Sequence, residues 1–191
     1  MKLIAATQNK GKLKELTEIL SDYGYEVISA SEAGFTDDVE ETGITFEENA
    51  KIKAYAIYNA LHLPTISDDS GLMVDHLNGG PGVYSARYAP EGERCNKILS
   101  ELNGVPDNER GAKFVCTICF IDENGKEYIA VGECLGKIGY EKKGSNGFGY
   151  DPIFVRDGRT LAQMTDDEKN KISHRGMALR NLVEVISGGE N

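Results

Sequence analysis

Tryptophan is absent from this 191-residue chain, histidine occurs only 3 times, and no apolar run is long. A membrane-spanning helix needs about 20 consecutive apolar residues, so we expect no membrane partner. The apolar start, residues 1–6, is too short for the core of a secretory signal and predicts a first strand.

Positively charged residues are also scarce. The net charge of −10 argues against a nucleic acid partner, because binding to its backbone depends on an excess of Lys and Arg.

Cysteine is sparse too, and its spacing does not predict a metal site. Of the 4 cysteines, Cys116 and Cys119 form a C-x-x-C pair. They lie in a β-branched and aromatic run, residues 114–121, which predicts a strand. Side chains three apart in a strand point to opposite faces, so this pair cannot bind one metal ion. We therefore predict neither structural zinc nor disulfides.

Hydrophobic periodicity predicts strands and helices in alternation. Apolar residues recur at helical spacing over residues 11–22, and Thr45 with Glu48 forms a capping box that begins a helix ending near Leu61. The turn Asn124-Gly125 predicts a hairpin within residues 112–140. We expect an α/β fold: one domain over residues 1–191 with a mixed sheet flanked by helices and a cleft between two lobes.

The acidic segment Ser67-Asp68-Asp69-Ser70-Gly71 is the most informative part of the chain. We expect it at the end of a strand, facing the cleft as a metal or base site. Neighbouring side chains of a strand point to opposite faces, so one acid faces the cleft while the other supports the turn. We predict that Asp69 faces the cleft. The alternative is a simple turn chosen for local hydrogen bonds.

A cationic loop, residues 6–12, leaves the first strand and enters the first helix. Free backbone amides and the positive end of the helix dipole suit a phosphate at such a junction. Thr7, Asn9 and Gly11 add donors and flexibility, and Lys12 adds charge. The loop lacks the spacing of a Walker motif, and the alternative is that its lysines are solvated surface residues.

The helix that follows Thr45 carries two lysines, Lys51 and Lys53, which face different directions because they are two residues apart. We predict that Lys53 points inward, since Ala50 and Ala54 permit close packing around its stem. Both lysines could instead be solvated. The acids Glu40 and Glu41 lie in an acidic run that by default is surface.

A glycine-rich loop, residues 144–152, carries the aromatic residues Phe148 and Tyr150 between glycines. Phe148 is predicted to stack on a nucleobase, and stacking tolerates many bases, so discrimination must come from elsewhere. Lys169 and the segment 173–176, which includes His174 and Arg175, offer hydrogen-bond donors that could supply it.

Five motifs occur in order along the chain: Ala6-Thr7-x-Asn9-x-x-Lys12-x-x-Glu15, Ser67-Asp68-Asp69-Ser70-Gly71-Leu72, Pro81-Gly82-Val83-Tyr84-Ser85-Ala86-Arg87, Gly147-Phe148-Gly149-Tyr150-Asp151-Pro152 and Ile172-Ser173-His174-Arg175. This set closely resembles the inosine triphosphate pyrophosphatase family, and the resemblance spans essentially the whole chain. It implies an elongated mixed α/β fold with two lobes that frame a nucleotide cleft. It also implies a cytoplasmic homodimer.

The resemblance further implies a Mg²⁺-dependent enzyme that hydrolyses deaminated purine nucleoside triphosphates (ITP, dITP, XTP) to the monophosphate and pyrophosphate. Asp69 and Lys53 match catalytic residues, and Glu40 and Asp69 match metal ligands. The remaining matches are to substrate-binding residues: Thr7, Gln8, Asn9, Lys10, Gly11, Lys12, Ser70, Phe148, Gly149, Tyr150, Asp151, Lys169, His174 and Arg175.

Two alternatives remain open from the sequence. One is a related house-cleaning pyrophosphatase that acts on other modified nucleotides, including pyrimidines, as in septum-inhibition-related proteins. The Phe148 loop and the Ser-His-Arg segment count against it. The other is a nucleotide-binding regulator without turnover, for which an intact set of acids would be unnecessary.

Overall fold

The computed structural model describes residues 1–188, which contain seven strands and five α-helices. Strands and helices alternate as far as β3, whereas β4 to β7 follow one another without an α-helix between them. The strands are β1 Lys2–Ala5, β2 Glu26–Ser29, β3 Thr65–Val74, β4 Gly111–Ile121, β5 Glu127–Ile138, β6 Phe154–Arg156 and β7 Arg159–Thr160. The helices are α1 Lys10–Ser21, α2 Phe46–Leu61, α3 Arg94–Glu101, α4 Asp166–Ile172 and α5 His174–Gly188.

All seven strands form one mixed sheet in the order β2-β1-β3-β4-β5-β6-β7. β1 pairs in parallel with both β2 and β3, whereas β5, β6 and β7 pair antiparallel. The predicted mixed sheet flanked by helices is therefore confirmed. The predicted cleft between two lobes stays a prediction.

The chain divides into two compact units. The first contains residues 1–69, 116–132 and, within the described chain, 175–188; the second contains residues 70–115 and 133–174. Strands β3, β4 and β5 each contribute residues to both units. The single domain predicted over residues 1–191 stays a prediction, and its residues 189–191 lie outside the described part of the chain.

In the first unit, helices cover the sheet on both faces, because residues alternate along its strands. Leu3 of β1 and Ile66 of β3 pack in one apolar cluster with residues of α1 and α5. Ile4, the next residue of β1, packs in a different cluster with Ile57 of α2. The sheet thus lies between α1 and α5 on one side and α2 on the other.

The second unit has its own core. Leu72 of β3, Phe114 of β4 and Phe154 of β6 lie in one buried cluster with residues of α3, among them Ile98 and Leu102. The loop that carries the aromatic and glycine residues enters this core through Tyr150.

The helix and hairpin predictions are confirmed to within a few residues. Thr45 and Glu48 form the predicted capping box at the start of α2, and Asn124-Gly125 lies in the connection between β4 and β5. One expectation is wrong: Asp68 and Asp69 do not lie in a turn at a strand end. They lie within β3, which continues through Gly71 to Val74, and Gly71, Leu72 and Val74 after the acids are buried in the sheet.

The two cysteines of the C-x-x-C pair lie on opposite faces of β4, as predicted. Cys116 packs in the cluster of α1 and α5, and Cys119 packs in that of Ala50 and Ala54. All 4 cysteines are free thiols. No helix within residues 1–188 has the length and apolar character needed to cross a membrane.

Candidate active site

Asp68 and Asp69 of β3 both belong to the first unit. Asp68 shares its face of the strand with Ile66 and therefore points toward α1 and α5. Asp69 shares its face with Ser67, whose hydroxyl donates to the carbonyl of Ala50 in α2. The two neighbouring acids thus contact different helices and have different environments.

Asp68 lies in a buried network of charges. Its Oδ2 accepts from Arg175 Nη2 at 2.8 Å and lies 3.0 Å from Lys12 Nζ. Arg175 also binds Glu15 through Nη1. Asp68 and Arg175 are fully buried, and two basic side chains balance two acidic ones, so the network adds no net charge to the interior.

The network keeps Asp68 ionised. Burial alone would raise the pKa of Asp68, but the charges of Arg175, Lys12 and Lys53 outweigh it and hold this pKa well below its usual range. A carboxylate of this kind cannot exchange protons near neutral pH. Asp68 is therefore a fixed anion that holds Lys12 and Arg175 in place.

Asp69 is held by α2 through both of its oxygens. Its Oδ1 lies 3.3 Å from Lys53 Nζ, and its Oδ2 accepts from Asn49 Nδ2 at 3.4 Å. Lys53 also donates to the backbone carbonyl of Asp68 at 2.8 Å and lies 2.6 Å from Glu41 Oε1. Three acceptors therefore match the three donors of the Lys53 ammonium.

The pKa values of Asp69 and Lys53 are both raised. Burial raises the pKa of Asp69; Glu41 and Asp68 raise it further, while Lys53 and Lys12 oppose the shift. Burial lowers the pKa of Lys53, but Asp69, Asp68 and Glu41 outweigh it, so this pKa is raised and the ammonium stays charged. A carboxylate with a raised pKa beside a fixed positive charge can accept a proton from water.

The segment predicted to bind phosphate contains the N-terminal cap of α1. Asn9 caps the helix: its Oδ1 accepts from the backbone amides of Gly11 at 2.9 Å and Lys12 at 3.1 Å. The side chain that precedes the helix therefore already binds two of the backbone amides at this junction, and phosphate binding by the segment stays a prediction. Gln8 and Lys10 are exposed, and Thr7 accepts from the amide of Asn9.

The acidic connector, residues 31–43, precedes α2 and places Glu41, not Glu40, against Lys53. Glu40 is exposed, whereas Glu41 is half-buried and paired with the ammonium that also contacts Asp69. Lys51 points elsewhere, to Glu47 and Glu127, which confirms that only one of the two lysines points inward.

The second unit contains a separate cluster of predicted residues. Lys169 and Asp151 form a buried ion pair of 2.5 Å, and the backbone amide of Phe148 donates to the same oxygen of Asp151 at 2.9 Å. Lys169 Nζ also lies 4.6 Å from the centre of the Phe148 ring. Gly147 must be glycine here, because an added Cβ would lie 2.1 Å from Asp151 Oδ2.

The other predicted residues are more scattered. Tyr150 is buried in the core, and its hydroxyl donates to the carbonyl of Ser85. His174 is buried against Phe114, with the ring centres 4.7 Å apart. Gly149 is exposed, and Ser70 follows Asp69 in β3. Arg175 belongs to the network of Asp68 in the first unit, so its predicted contact with a base stays a prediction.

Sequence reasoning assigned no role to three side chains of the first unit: Glu15, Glu41 and Asn49. A signal existed for two of them, because residues three or four apart lie on one face of a helix. Glu15 follows Lys12 by three residues in α1, and Asn49 precedes Lys53 by four in α2.

Near Lys53, the protein offers two carboxylates as potential ligands for a metal ion. Over residues 1–188, no three His, Cys, Asp or Glu side chains gather closely enough to hold an ion. Two carboxylates, those of Asp69 and Glu41, contact one ammonium. That donor set fits Mg²⁺, which takes one or two carboxylates and completes its shell with water and substrate phosphate.

Comparisons with known proteins identify similar chains and a similar fold. Residues 3–185 match the model of the Ham1 family. The chain is 49% identical to the dITP/XTP pyrophosphatase of Bacillus subtilis, with 96% of each chain covered. It is 48% identical to the enzyme of the same name from Haemophilus influenzae, with 93% of this chain and 95% of that one covered. The structure of the Staphylococcus aureus Ham1 protein matches with a TM-score of 0.84 and 42% identity, and both chains are covered completely.

The buried network predicts a large stability cost for Asp68→Asn. The amide is nearly isosteric, but it leaves the buried charge of Arg175 without one anion, and such losses cost about 3 kcal/mol or more. Urea unfolding at neutral pH measures the difference. As a control, Glu133→Gln removes an exposed pair with Lys113 and is expected to cost less than about 1 kcal/mol.

The cost of Asp68→Asn also depends on pH. Because the pKa of Asp68 is lowered in the folded state, its stabilisation is complete above the unfolded-state pKa of about 3.9 and is lost as the pH falls below it. The difference between wild type and variant therefore shrinks in acid. Equal costs for Asp68→Asn and Glu133→Gln would contradict the role given to the network.

Proposed function

The chain belongs to the Ham1 family, and we propose that it hydrolyses deaminated purine nucleoside triphosphates to the monophosphate and pyrophosphate. One observation carries the proposal: Asp69, with its raised pKa, lies against the charged Lys53 in a chain nearly half identical to a dITP/XTP pyrophosphatase over 96% of its length. Such an activity removes ITP, dITP and XTP from the nucleotide pool.

The triphosphate is assigned to the cations of the first unit. Lys12 is 3.0 Å from Asp68, and an ammonium has three donors, so it can bind Asp68 and a phosphate oxygen together. Lys53 adds a second charge, and a phosphate oxygen can replace one of its three acceptors. We assign the segment Thr7 to Lys12 and Ser70 to the same polyphosphate. Fixed positive charges stabilise the negative charge that gathers on the leaving pyrophosphate.

Asp69 is assigned as the base that orients and deprotonates the attacking water. Its two oxygens are held by Lys53 and Asn49, so its carboxylate has a defined orientation. Bond cleavage between the α- and β-phosphates releases pyrophosphate, whose charge the lysines bind.

Magnesium is the proposed cofactor, and Asp69 with Glu41 would hold it. The ion would supply positive charge to the phosphate oxygens. The sequence pointed to Glu40 as the second ligand, but Glu41 is the acid that contacts the ammonium beside Asp69. We therefore propose Glu41 in place of Glu40.

The nucleobase is assigned to the second unit. Phe148 offers a ring for stacking, and its backbone is fixed by the buried pair of Lys169 and Asp151. We propose these residues with Gly149, Tyr150 and His174 as the base and sugar site. The 6-oxo group of hypoxanthine or xanthine accepts hydrogen bonds, whereas the amino group of adenine would face the donors and leave them unpaired.

A substrate panel tests the function. With Mg²⁺, kcat/KM for ITP should exceed that for ATP by about 100-fold or more, because an unpaired donor in the site penalises the wrong base. Pyrophosphate release is measured for ITP, dITP, XTP, ATP, GTP and pyrimidine triphosphates, with EDTA as the control. Comparable values for ITP and ATP would refute the account of base selection, and a pyrimidine preference would favour the alternative house-cleaning enzyme. Release of orthophosphate alone would mean cleavage at the terminal phosphate.

Asp69→Asn should reduce kcat for ITP by about 100- to 10,000-fold, because the amide cannot accept a proton from water. Nucleotide binding, measured by calorimetry in EDTA, should persist. Asp38→Asn is the matched control, since Asp38 is an exposed acid of the connector and should retain full activity. Retained activity in Asp69→Asn would remove this residue from the mechanism.

The neighbouring acids Glu40 and Glu41 form a matched pair for a test of the metal site. Glu41→Gln should raise the Mg²⁺ concentration needed for half-maximal activity by about tenfold or more. Glu40→Gln should leave it unchanged, because Glu40 is exposed. The measurement is pyrophosphate release from ITP over a magnesium titration. The opposite result would restore Glu40 as the ligand.

The cytoplasmic location and the homodimer implied by the family resemblance stay predictions. Sedimentation of the purified chain decides the second of these.

A further inference from the structure

Asn49 is the fourth residue of α2, and its side-chain amide is fully buried. Burial of an amide side chain costs free energy unless both its NH₂ donors and its oxygen acceptor find hydrogen-bond partners. The other buried residues of α2, which are Ala50, Ala54 and Ile57, are all apolar. An amide at this position therefore calls for an explanation from its contacts.

Both ends of the Asn49 amide have partners, and together these fix its orientation. The Oδ1 atom accepts from the backbone amide of Gly43 at 2.8 Å, and the Nδ2 atom donates to Asp69 Oδ2 at 3.4 Å. A backbone N–H can only donate, so the oxygen of Asn49 must face Gly43. Its NH₂ group then faces the carboxylate, which in its ionised form can only accept.

The contact with Gly43 is tight. A Cβ added at Gly43 would lie 2.7 Å from Asn49 Oδ1 and 2.6 Å from the Cβ of Glu48. The backbone of the acidic connector therefore packs directly against the start of α2. Asn49 holds it there, only two residues from Glu41.

Asn49 and Lys53 form two parallel links between the connector and Asp69. They lie four residues apart and so share one face of α2. Lys53 joins Glu41 to Asp69 Oδ1, and Asn49 joins Gly43 to Asp69 Oδ2. One contact alone would leave the carboxylate free to rotate about its Cβ–Cγ bond, whereas two contacts on different oxygens define the plane of the group.

We propose that Asn49 is a positioning residue for the hydrolysis: it sets the rotation of the Asp69 carboxylate and ties the connector that carries Glu41 to it. The inference rests on the proposed function, since it concerns the reaction assigned to Asp69. A residue that acts in this way affects the chemical step more than the binding of nucleotide.

Asn49→Ala tests the proposal, with Asn59→Ala as the matched control. Asn59 lies in the same helix but is exposed. For ITP hydrolysis, we expect kcat of Asn49→Ala to fall by about 10- to 100-fold, the usual effect of losing a residue that orients a site ligand. KM, and the affinity for ITP measured in EDTA, should stay close to wild type. Asn59→Ala should change neither constant.

Two results would overturn the proposal: a kcat for Asn49→Ala equal to that of Asn59→Ala, or a KM that rises as much as kcat falls. If circular dichroism shows that Asn49→Ala does not fold, Gly43→Ala decides in its place. That variant keeps the Asn49 side chain but forces the connector and the amide apart, so kcat should again fall while KM is retained. Full activity of Gly43→Ala would then overturn the proposal.

A second measurement separates this inference from the proposed function. If wild type releases no pyrophosphate from ITP, the proposed function fails, but the link between Asn49 and Asp69 can still be tested by thermal unfolding. We compare Asn49→Ala, Asp69→Ala and the double variant. A fall in Tm for the double variant that differs from the sum of the single falls supports the link. Additive falls would overturn it.

Discussion

The alternation of side chains along β3 is the constraint on which the site depends. Asp68 and Asp69 are adjacent in the chain, yet successive residues of a strand face opposite sides of the sheet. Asp68 therefore meets Lys12 and Arg175 on the side of α1 and α5, while Asp69 meets Lys53 and Asn49 on the side of α2. A turn at this point would have allowed both acids to reach the same partners, and a continuous strand does not.

The helical repeat places two side chains of α1 in the network around Asp68 and two side chains of α2 against Asp69. On α1, Lys12 and Glu15 lie three residues apart and reach the same buried network. On α2, Asn49 and Lys53 lie four residues apart and reach the two oxygens of one carboxylate. The strand thus separates the acids. Asp69 is bound by two residues from one face of α2, whereas Asp68 is bound by Lys12 of α1 and Arg175 of α5. The capping box of Thr45 and Glu48 fixes where α2 begins, and hence which of its residues face Asp69.

Much of this arrangement could be predicted from sequence. The helices and the hairpin followed from periodicity, caps and turns. The inward direction of Lys53 followed from the small residues Ala50 and Ala54 beside it, and its spacing from Lys51 implied that only one of the two lysines points inward. The position of the acids within a strand could not be predicted, because the segment Ser67 to Gly71 has the composition of a turn. It lies in β3 between buried residues that precede and follow it in the chain. The amide of Asn49 was missed for a related reason: a polar residue in a helix is usually exposed, and its partner Gly43 is identified only by tertiary contact. The cap at Asn9 is a different case, because its bonds to the amides of Gly11 and Lys12 are local along the chain.

The pKa values of the two adjacent acids are shifted in opposite directions, and the cause is the number of cations that each acid contacts. Asp68 is fully buried, yet direct contacts with both Arg175 and Lys12 keep its pKa low. Asp69 contacts one lysine, which it shares with Glu41, so burial prevails and its pKa is raised. Environments that move the pKa values of neighbouring acids apart are the usual way in which a site separates a structural carboxylate from a reactive one. In this chain, a single peptide bond separates the two, because the sheet directs one acid into a balanced ionic network and leaves the other with less positive charge than its burial would require to keep an ordinary pKa.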